Sequence, residues 1–288
     1  MTEQTLKGPY VSSDGKPELK KSVVAFIDIL GFNDTIKKAS AEGKGQELLS
    51  HFHMAFREGI HWLGIEASNK ATRLDHFKNS RAIKLFSDNV VIAYPIRRNG
   101  ESEFGLIFDD LAWFQMWMVP RGYFVRGAIT VGDIFIDEIT AFGDGLLEAY
   151  EAEQKVASVP RIILTEKAET LTNEHLTYYG NPGESPQNQS LLRDADERLF
   201  LNYMDCLLIA EAEQEPMYYE IEKHRDITIQ RLREHANNSA IFEKYAWTAR
   251  YHNFFCSEYR DFGAEYLIPL SELDRPFSRL VAMPVTNL

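Results

Sequence analysis

The sequence predicts an α+β fold: a ferredoxin-like sheet with helices on one face, followed by a helical C-terminal extension. Three observations lead there. SVVAFIDIL at 22–30 is an apolar, β-branched run of strand length without alternation, which marks a central strand covered on both faces. Two hairpin-like stretches, 82–95 and 123–137, are interleaved with helical patterns. The order strand–long helix–hairpin–helix–hairpin–helix–strand therefore divides into two halves of β-α-β-β type. From about 217 to 259 helical spacing dominates, with Trp247, Tyr251, Phe254 and Phe255 giving aromatic weight to a packing face.

Each element has its own local reason. Residues 1–21 are polar, with Gly, Pro and Ser, and read as a flexible lead-in. Gly31 ends the first strand. From Phe32 to about Ala67, Leu48, Leu49, Phe52, Phe56, Ile60 and Leu63 recur every three or four residues, one side of a long helix. Residues 68–80 form a polar loop. Residues 82–95 read as two strands around Ser87-Asp88-Asn89, a turn with β-branched or aromatic flanks. A helix at 104–119 is ended by Pro120. Residues 123–137 read as a strand pair turning at Gly132-Asp133. A helix at about 144–157 and a short strand RIILT at 161–165 follow. Residues 180–190 are an irregular surface loop by their Gly, Pro, Asn and Ser content, and 200–210 fits either a strand or a buried helix. There is no internal repeat. The expected division is 1–21 lead-in, 22–212 main domain and 213–288 helical extension.

Composition narrows the function. The chain has 288 residues and a net charge of −12. That balance argues against nucleic acid and against an anionic membrane surface, both of which select basic faces. No apolar run reaches the roughly 18–20 residues of a spanning helix. The first residues lack the apolar core of a signal peptide. Two cysteines, Cys206 and Cys256, build no disulfide framework and fit a reducing compartment, so a cytoplasmic location is expected.

The chemistry concentrates in two carboxylates. No phosphate loop of Walker type, nucleophile elbow, H-E-x-x-H or C-x-x-C motif is present. His51 and His53 are two apart and cannot face one metal from a helix. His224, His235 and His252 offer no ligand spacing either. Asp28 lies inside an apolar strand, where a carboxylate is costly to bury unless paired or bound to a cation. Asp88 tips the next hairpin, also in apolar surroundings, and the topology makes the two neighbours. Carboxylates in contact repel, and a magnesium or manganese ion relieves that repulsion. Ile29, Leu30, Gly31 and Phe32 lead from the strand into a helix start, whose backbone N–H groups suit a phosphate. The plainer reading is that Asp28 caps the helix and Asp88 is a turn residue.

At these residues the sequence resembles the class III nucleotidyl cyclases. The family pattern F-x-D-I-x-G-F is similar to Phe26-Ile-Asp28-Ile29-Leu30-Gly31-Phe32. Its K-x-x-G-D strand is similar to Lys84-Leu-Phe-Ser87-Asp88. R-x-G-I-x-x-G is similar to Arg126-Gly-Ala-Ile129-Thr-Val-Gly132, and the F/W-G-D turn to Phe142-Gly143-Asp144. The four blocks run in order from about 22 to 165. F-S-D in place of I-G-D, and the stretch from Lys244 to Asn253, resemble more closely the bacterial pyrimidine cyclases of Pycsar anti-phage defence, over most of the chain.

The resemblance implies that Asp28, Asp88 and the carbonyl of Ile29 hold two manganese or magnesium ions. It implies that residues 29–32 cradle a triphosphate and that Asp28 and Asp88 serve catalysis; Arg126 is a candidate catalytic residue beside them. It implies conversion of UTP to 3′,5′-cyclic UMP and pyrophosphate, with CTP as the alternative substrate. A homodimer with composite active sites and a separate cyclic-nucleotide-activated effector protein are implied as partners. Where the family has a transition-state Asn and Arg, this chain has Leu147 and Glu151. Arg126, Lys155 and Arg161 are candidates to replace their charge. At the two base-reading positions stand Lys84 and Thr140, the latter in place of an Asp. Two other readings stay open: a non-catalytic nucleotide-binding or dimerisation module, motivated by Leu147 and Glu151, and a purine cyclase, motivated by Lys84.

Overall fold

The computed structural model describes residues 8–63, 80–209, 218–258, 262–270 and 277–281. The architecture is α+β, with one mixed sheet of eight strands and helices packed against it. Strands β1 (Lys20–Ile29), β2 (Ala82–Phe86), β3 (Asn89–Pro95), β4 (Val125–Ile136), β6 (Ile162–Leu164), β7 (Leu191–Arg193) and β8 (Leu199–Leu201) lie in the order β2-β3-β1-β4-β6-β8-β7, and β5 (Ala141–Phe142) pairs with β4. All pairs are antiparallel except β4 with β6.

The unbroken apolar run of β1 has the expected cause. Between β3 and β4, its residues 22–27 are buried on both faces. Val23, Ala25, Ile27 and Ile29 enter the main core. Val24 and Phe26 enter a smaller cluster on the opposite face, with Val91, Ile134 and Ala149. Helices α1 (Phe32–Ala41), α2 (Gly45–Trp62) and α3 (Glu101–Met118) follow the order expected, and α2 and α3 contribute to the main core. Helix α4 (Asp144–Lys155) covers β1 and β4 on the smaller cluster's side, so helices flank the sheet on both faces rather than one.

Several boundaries differ from expectation. The long helix from Phe32 divides at residues 42–44, where Gly43 takes φ 71°, and Leu49 on its supposed apolar side is exposed. The expected loop at 68–80 falls outside the described residues except for Ser80. Gly132-Asp133 is no turn: β4 runs straight through it and pairs with β1 from end to end. The glycine is there because α4 lies on it; a Cβ at Gly132 would sit 2.6 Å from the Gly145 Cα. The true hairpin turn is 137–140, between β4 and β5. Residues 180–190 are no irregular surface loop. They form a 3₁₀ turn (Pro182–Glu184) and helix α6 (Pro186–Ser190), with Gln187 and Asn188 buried. Asn188 donates to the carbonyls of Gly183 and Val281, which satisfies backbone that would otherwise be orphaned. Of the stretch 200–210, residues 200–209 take both alternatives in turn: β8, then a 3₁₀ turn and the short α7 (Cys206–Ile209); residue 210 lies outside the described residues. The lead-in is tied down from residue 8 onward, since Tyr10 is fully buried and its hydroxyl bonds Ser22 at 2.9 Å.

The C-terminal helices α8 (Tyr218–Glu234) and α9 (Ser239–Glu258) follow α5 (Glu166–Leu176) and the β7–β8 hairpin, and they join the main core rather than building one of their own. Trp247 and Tyr251 stack on each other and meet Phe200 of β8 edge-on. Asn253 exchanges two hydrogen bonds with the backbone of Ile268. The aromatic residues singled out in the sequence are therefore packing residues. No helix among the described residues is long and apolar enough to cross a membrane.

His224 of α8 and His252 of α9 stack in the same core with their Nδ1 atoms 3.0 Å apart. His252 Nε2 faces the Tyr266 carbonyl at 2.8 Å, so that nitrogen carries the proton. Its Nδ1 then accepts from His224 Nδ1, and His224 Nε2 accepts from the Tyr203 hydroxyl at 2.7 Å. A further proton on His252 Nδ1 would set N–H against N–H. Burial lowers the His252 pKa to about 4 and that of His224 well below its ordinary value. The unfolded chain therefore binds more protons than the folded one between about pH 4 and the ordinary histidine value near 6.5. Stability is fully present above that window and is lost as pH falls through it. Thermal melts are expected to show a loss of about 2 kcal/mol between pH 7 and pH 5 from His252 alone. The drop is expected to shrink in His252→Gln; a melting temperature flat over this range would contradict it.

Candidate active site

Asp28 is the penultimate residue of β1 and points to the smaller cluster's face, alternating with Phe26 and Val24. The register of β1 with β4 sets Asp28 directly opposite Arg126. The register with β3 sets Ile27 opposite Val90, which carries the β2–β3 turn to the same end of the sheet. That turn is Ser87-Asp88. Ser87 holds φ 56°, a left-handed conformation that costs a non-glycine residue on the order of 1 kcal/mol. Asp88 is buried beside Asp28, and its charge makes Asp28 harder to ionise.

Arg126 lies between carboxylates. Its Nε and Nη2 donate to Asp28 Oδ2 at 3.1 and 3.0 Å. The same Nε stands 2.8 Å from Oε1 of Glu153, whose side chain is fully buried on α4. Burial raises the pKa of Asp28 most, Arg126 opposes it, and Asp88 adds to it. Glu153 is raised by burial, opposed by Arg126, and raised again by Asp28 and Asp88. Two carboxylates thus share one guanidinium, with Asp88 crowding both of them. Glu153 was not singled out in the sequence. Its signal is the four-residue spacing Gly145, Ala149, Glu153, which puts a carboxylate on the sheet-facing side of α4.

The donor set suits a hard divalent cation. Asp28 and Asp88 crowd each other, and one arginine leaves that charge under-compensated. Among the described residues no group of three or more His, Cys, Asp or Glu side chains could hold a metal ion by itself. A cation here would rest on the two carboxylates and take its remaining oxygen ligands from backbone, water and substrate, the usual manner for magnesium.

The segment after Asp28 is split in its uses. Ile29 buries its side chain in the core, so only its backbone faces outward. Leu30 donates its N–H to the Phe124 carbonyl at 2.8 Å and is lost to the cradle. Gly31 takes φ 72° as the residue before α1. Phe32 anchors the helix start against Phe52 and Tyr123. The N–H groups of the first turn lack partners within the helix, while Asp34 in that turn opposes an anion and is paired with Lys37.

Lys84 on β2 reaches across to the 137–140 turn, where its Nζ bonds the carbonyls of Glu138 and, at 3.3 Å, Asp137. Thr140 sits exposed in that turn, with its N–H bonded to Asp137 Oδ1 at 2.7 Å. The fold therefore brings the two base-reading candidates to one place. The replacement cations are not free. Arg161 is buried and clasped by Asp194 and Asp196, and Lys155 pairs with Glu151 at 2.7 Å. Leu147 and Glu151 lie on the outer side of α4, away from Asp28 of their own chain. His51 bonds the Tyr123 hydroxyl at 2.8 Å, His53 is exposed, and His235 stacks on Tyr245. Both cysteines are free thiols, and burial pushes Cys256 up to about 12. Compared with known proteins, the chain matches no family model and no curated protein.

Proposed function

We propose that the protein is a pyrimidine nucleotide cyclase of the class III type, with a ferredoxin-like cyclase core, that converts UTP to 3′,5′-cyclic UMP and pyrophosphate. The observation that carries this reading is the meeting of Asp28 and Asp88 at one sheet end, next to a helix start, within the four-block motif order. Asp28, Asp88 and the Ile29 carbonyl would hold two manganese or magnesium ions. Bound there, such ions would lower the pKa of the ribose 3′-hydroxyl and draw charge from the triphosphate. The bond from O3′ to the α-phosphorus forms, the bond to the β-phosphate bridge breaks, and the hydroxyl proton leaves to solvent. The first-turn N–H groups of α1 would orient the phosphates. Lys84 and the 137–140 turn would face the base. The choice of UTP over CTP follows the resemblance alone.

A homodimer is part of the same reading. Phe86 before the Ser87-Asp88 turn, Ile139 and Phe142 at the 137–140 turn, and Leu147 on the outer side of α4 are each more than 60% exposed, apolar surface that a second copy would cover. A second copy seated there would bring Leu147 and Glu151 of one subunit toward the carboxylates of the other. In a cell the cyclic product would act as a signal of anti-phage defence in the cytoplasm, read by a separate effector protein. The net charge of −12 supports no role for nucleic acid or membrane.

One observation favours a non-catalytic nucleotide-binding or dimerisation module: both Lys155 and Arg161 are already paired, which leaves transition-state charge to the cations and Arg126. Incubating the purified protein with each of the four ribonucleoside triphosphates and Mn²⁺ separates the readings. Cyclic UMP, or cyclic CMP as the alternative, is expected. Nucleotide binding without pyrophosphate release would establish the module instead, and cyclic AMP or cyclic GMP alone a purine cyclase.

A further inference from the structure

The Arg126 Nε–H has one hydrogen and two claimants. It donates to Asp28 Oδ2. Glu153 Oε1 is 2.8 Å from the same nitrogen, yet it is buried and accepts no hydrogen bond. A buried carboxylate oxygen in ion-pair contact without a hydrogen bond is a costly arrangement, because the group is desolvated and incompletely compensated. The other oxygen of Glu153 is served by Gln154 at 2.7 Å. The buried Thr165 hydroxyl donates to Thr130 rather than to Glu153. The unsatisfied atom therefore has one donor in contact, and that donor is turned toward Asp28.

We infer that Glu153 is a positioning residue that takes over Arg126 when a divalent cation takes over Asp28. This rests on the metal site proposed above. Arg126 is the one cation paired with Asp28 among the described residues, so the guanidinium is the resident counter-charge of the site. A cation on Asp28 makes that counter-charge redundant and repels it. Glu153 is the acceptor already in place, so the guanidinium can change partner by a small rotation and need not return to water. Without the Glu153 charge, Arg126 has nowhere to go, stays on Asp28 and competes with the cation.

The test uses Mn²⁺ alone, titrated into the full chain and followed by the electron paramagnetic resonance signal of the free ion. Glu153→Gln, which keeps the shape, is expected to weaken Mn²⁺ binding about tenfold, the lower end of what outer partners of metal ligands cost. In an Arg126→Met background the same substitution is expected to change binding little, because the competitor is gone. An equal loss in both backgrounds would mean that Glu153 acts by charge alone, and that would overturn the role. So would unchanged binding by Glu153→Gln when the parent protein binds Mn²⁺. If the parent binds no Mn²⁺ at all, the proposed metal site fails and this role fails with it. The unsubstituted protein gives an independent readout should a variant fail to fold. With ¹⁵N-labelled arginine, the Arg126 Nε–H resonance is expected to shift yet stay protected from exchange on adding Mg²⁺. Its disappearance into solvent exchange, or no change at saturating Mg²⁺, would overturn the inference.

Discussion

In the proposed cyclase, Asp88→Ala is expected to cut cyclic nucleotide formation by orders of magnitude while leaving the fold intact. Asp88 makes no salt bridge among the described residues; Asn89 Nδ2 donates to its Oδ1 at 3.3 Å, and Asp28 lies against it. Removing its carboxylate also removes a charge that presses on Asp28, so the folded chain loses little and Asp28 is relieved. In the proposed reaction the loss is severe, because one of two side-chain ligands for the cations is gone. A drop of about 10²–10³-fold or more is expected, the scale seen when one charge-stabilising group is removed from an active site. Asp28→Ala is a poorer experiment, because it strips Arg126 of its two hydrogen bonds and mixes stability with catalysis. The measurement is product formation from UTP with Mn²⁺ at matched concentrations of folded protein. Turnover by Asp88→Ala equal to that of the parent would remove the carboxylate pair from the mechanism.

The largest expected effect on stability lies at Arg161. Its guanidinium bonds Asp194 and, through two nitrogens, Asp196. Asp194 is buried and also accepts from Trp247 Nε1 at 2.7 Å, so one carboxylate ties the start of β6 to the β7–β8 hairpin and to α9. Arg161→Leu leaves that carboxylate in the core without a counter-charge, a change that costs about 3–5 kcal/mol. Denaturant melts are expected to show this loss, and Asp194→Asn in the same chain to recover part of it. Activity per folded molecule is expected to stay unchanged, because Asp194 and Asp196 occupy the Arg161 guanidinium. A selective loss of turnover with normal stability would return Arg161 to the active site.

The candidate site was more legible in sequence than the elements around it. Asp28 announced itself as a carboxylate in an apolar strand, and Asp88 as an acid at a hairpin tip. Both signals are local, and the strand pairing joins them. Glu153 is different. Its meaning depends on the register that sets Arg126 opposite Asp28, and on α4 crossing that register, neither of which has a one-dimensional trace. The Gly132-Asp133 error has the same origin. A Gly-Asp pair between β-rich flanks reads as a turn, and only the helix lying on it shows that the missing side chain makes room. Asn188 deceived in the other direction, because a polar residue in a Gly- and Pro-rich stretch was substituting for backbone partners inside the protein. The C-terminal aromatics were readable because helical spacing and size both pointed to packing.

The seating of Phe277 against Phe200, Trp247, Tyr251 and Phe254 bears on how the chain is made. β1 at residues 20–29 must wait for β4 at 125–136 before both its edges are paired, and the aromatic layer over β8 must wait for residue 277. Contacts so far apart along the chain make folding slow. During synthesis the apolar faces of β7 and β8 leave the ribosome well before the side chains that cover them, a partly folded state prone to self-association. The protein therefore completes the layer over its sheet only once residue 277 has emerged, and a chain stopped short of it is expected to self-associate rather than fold.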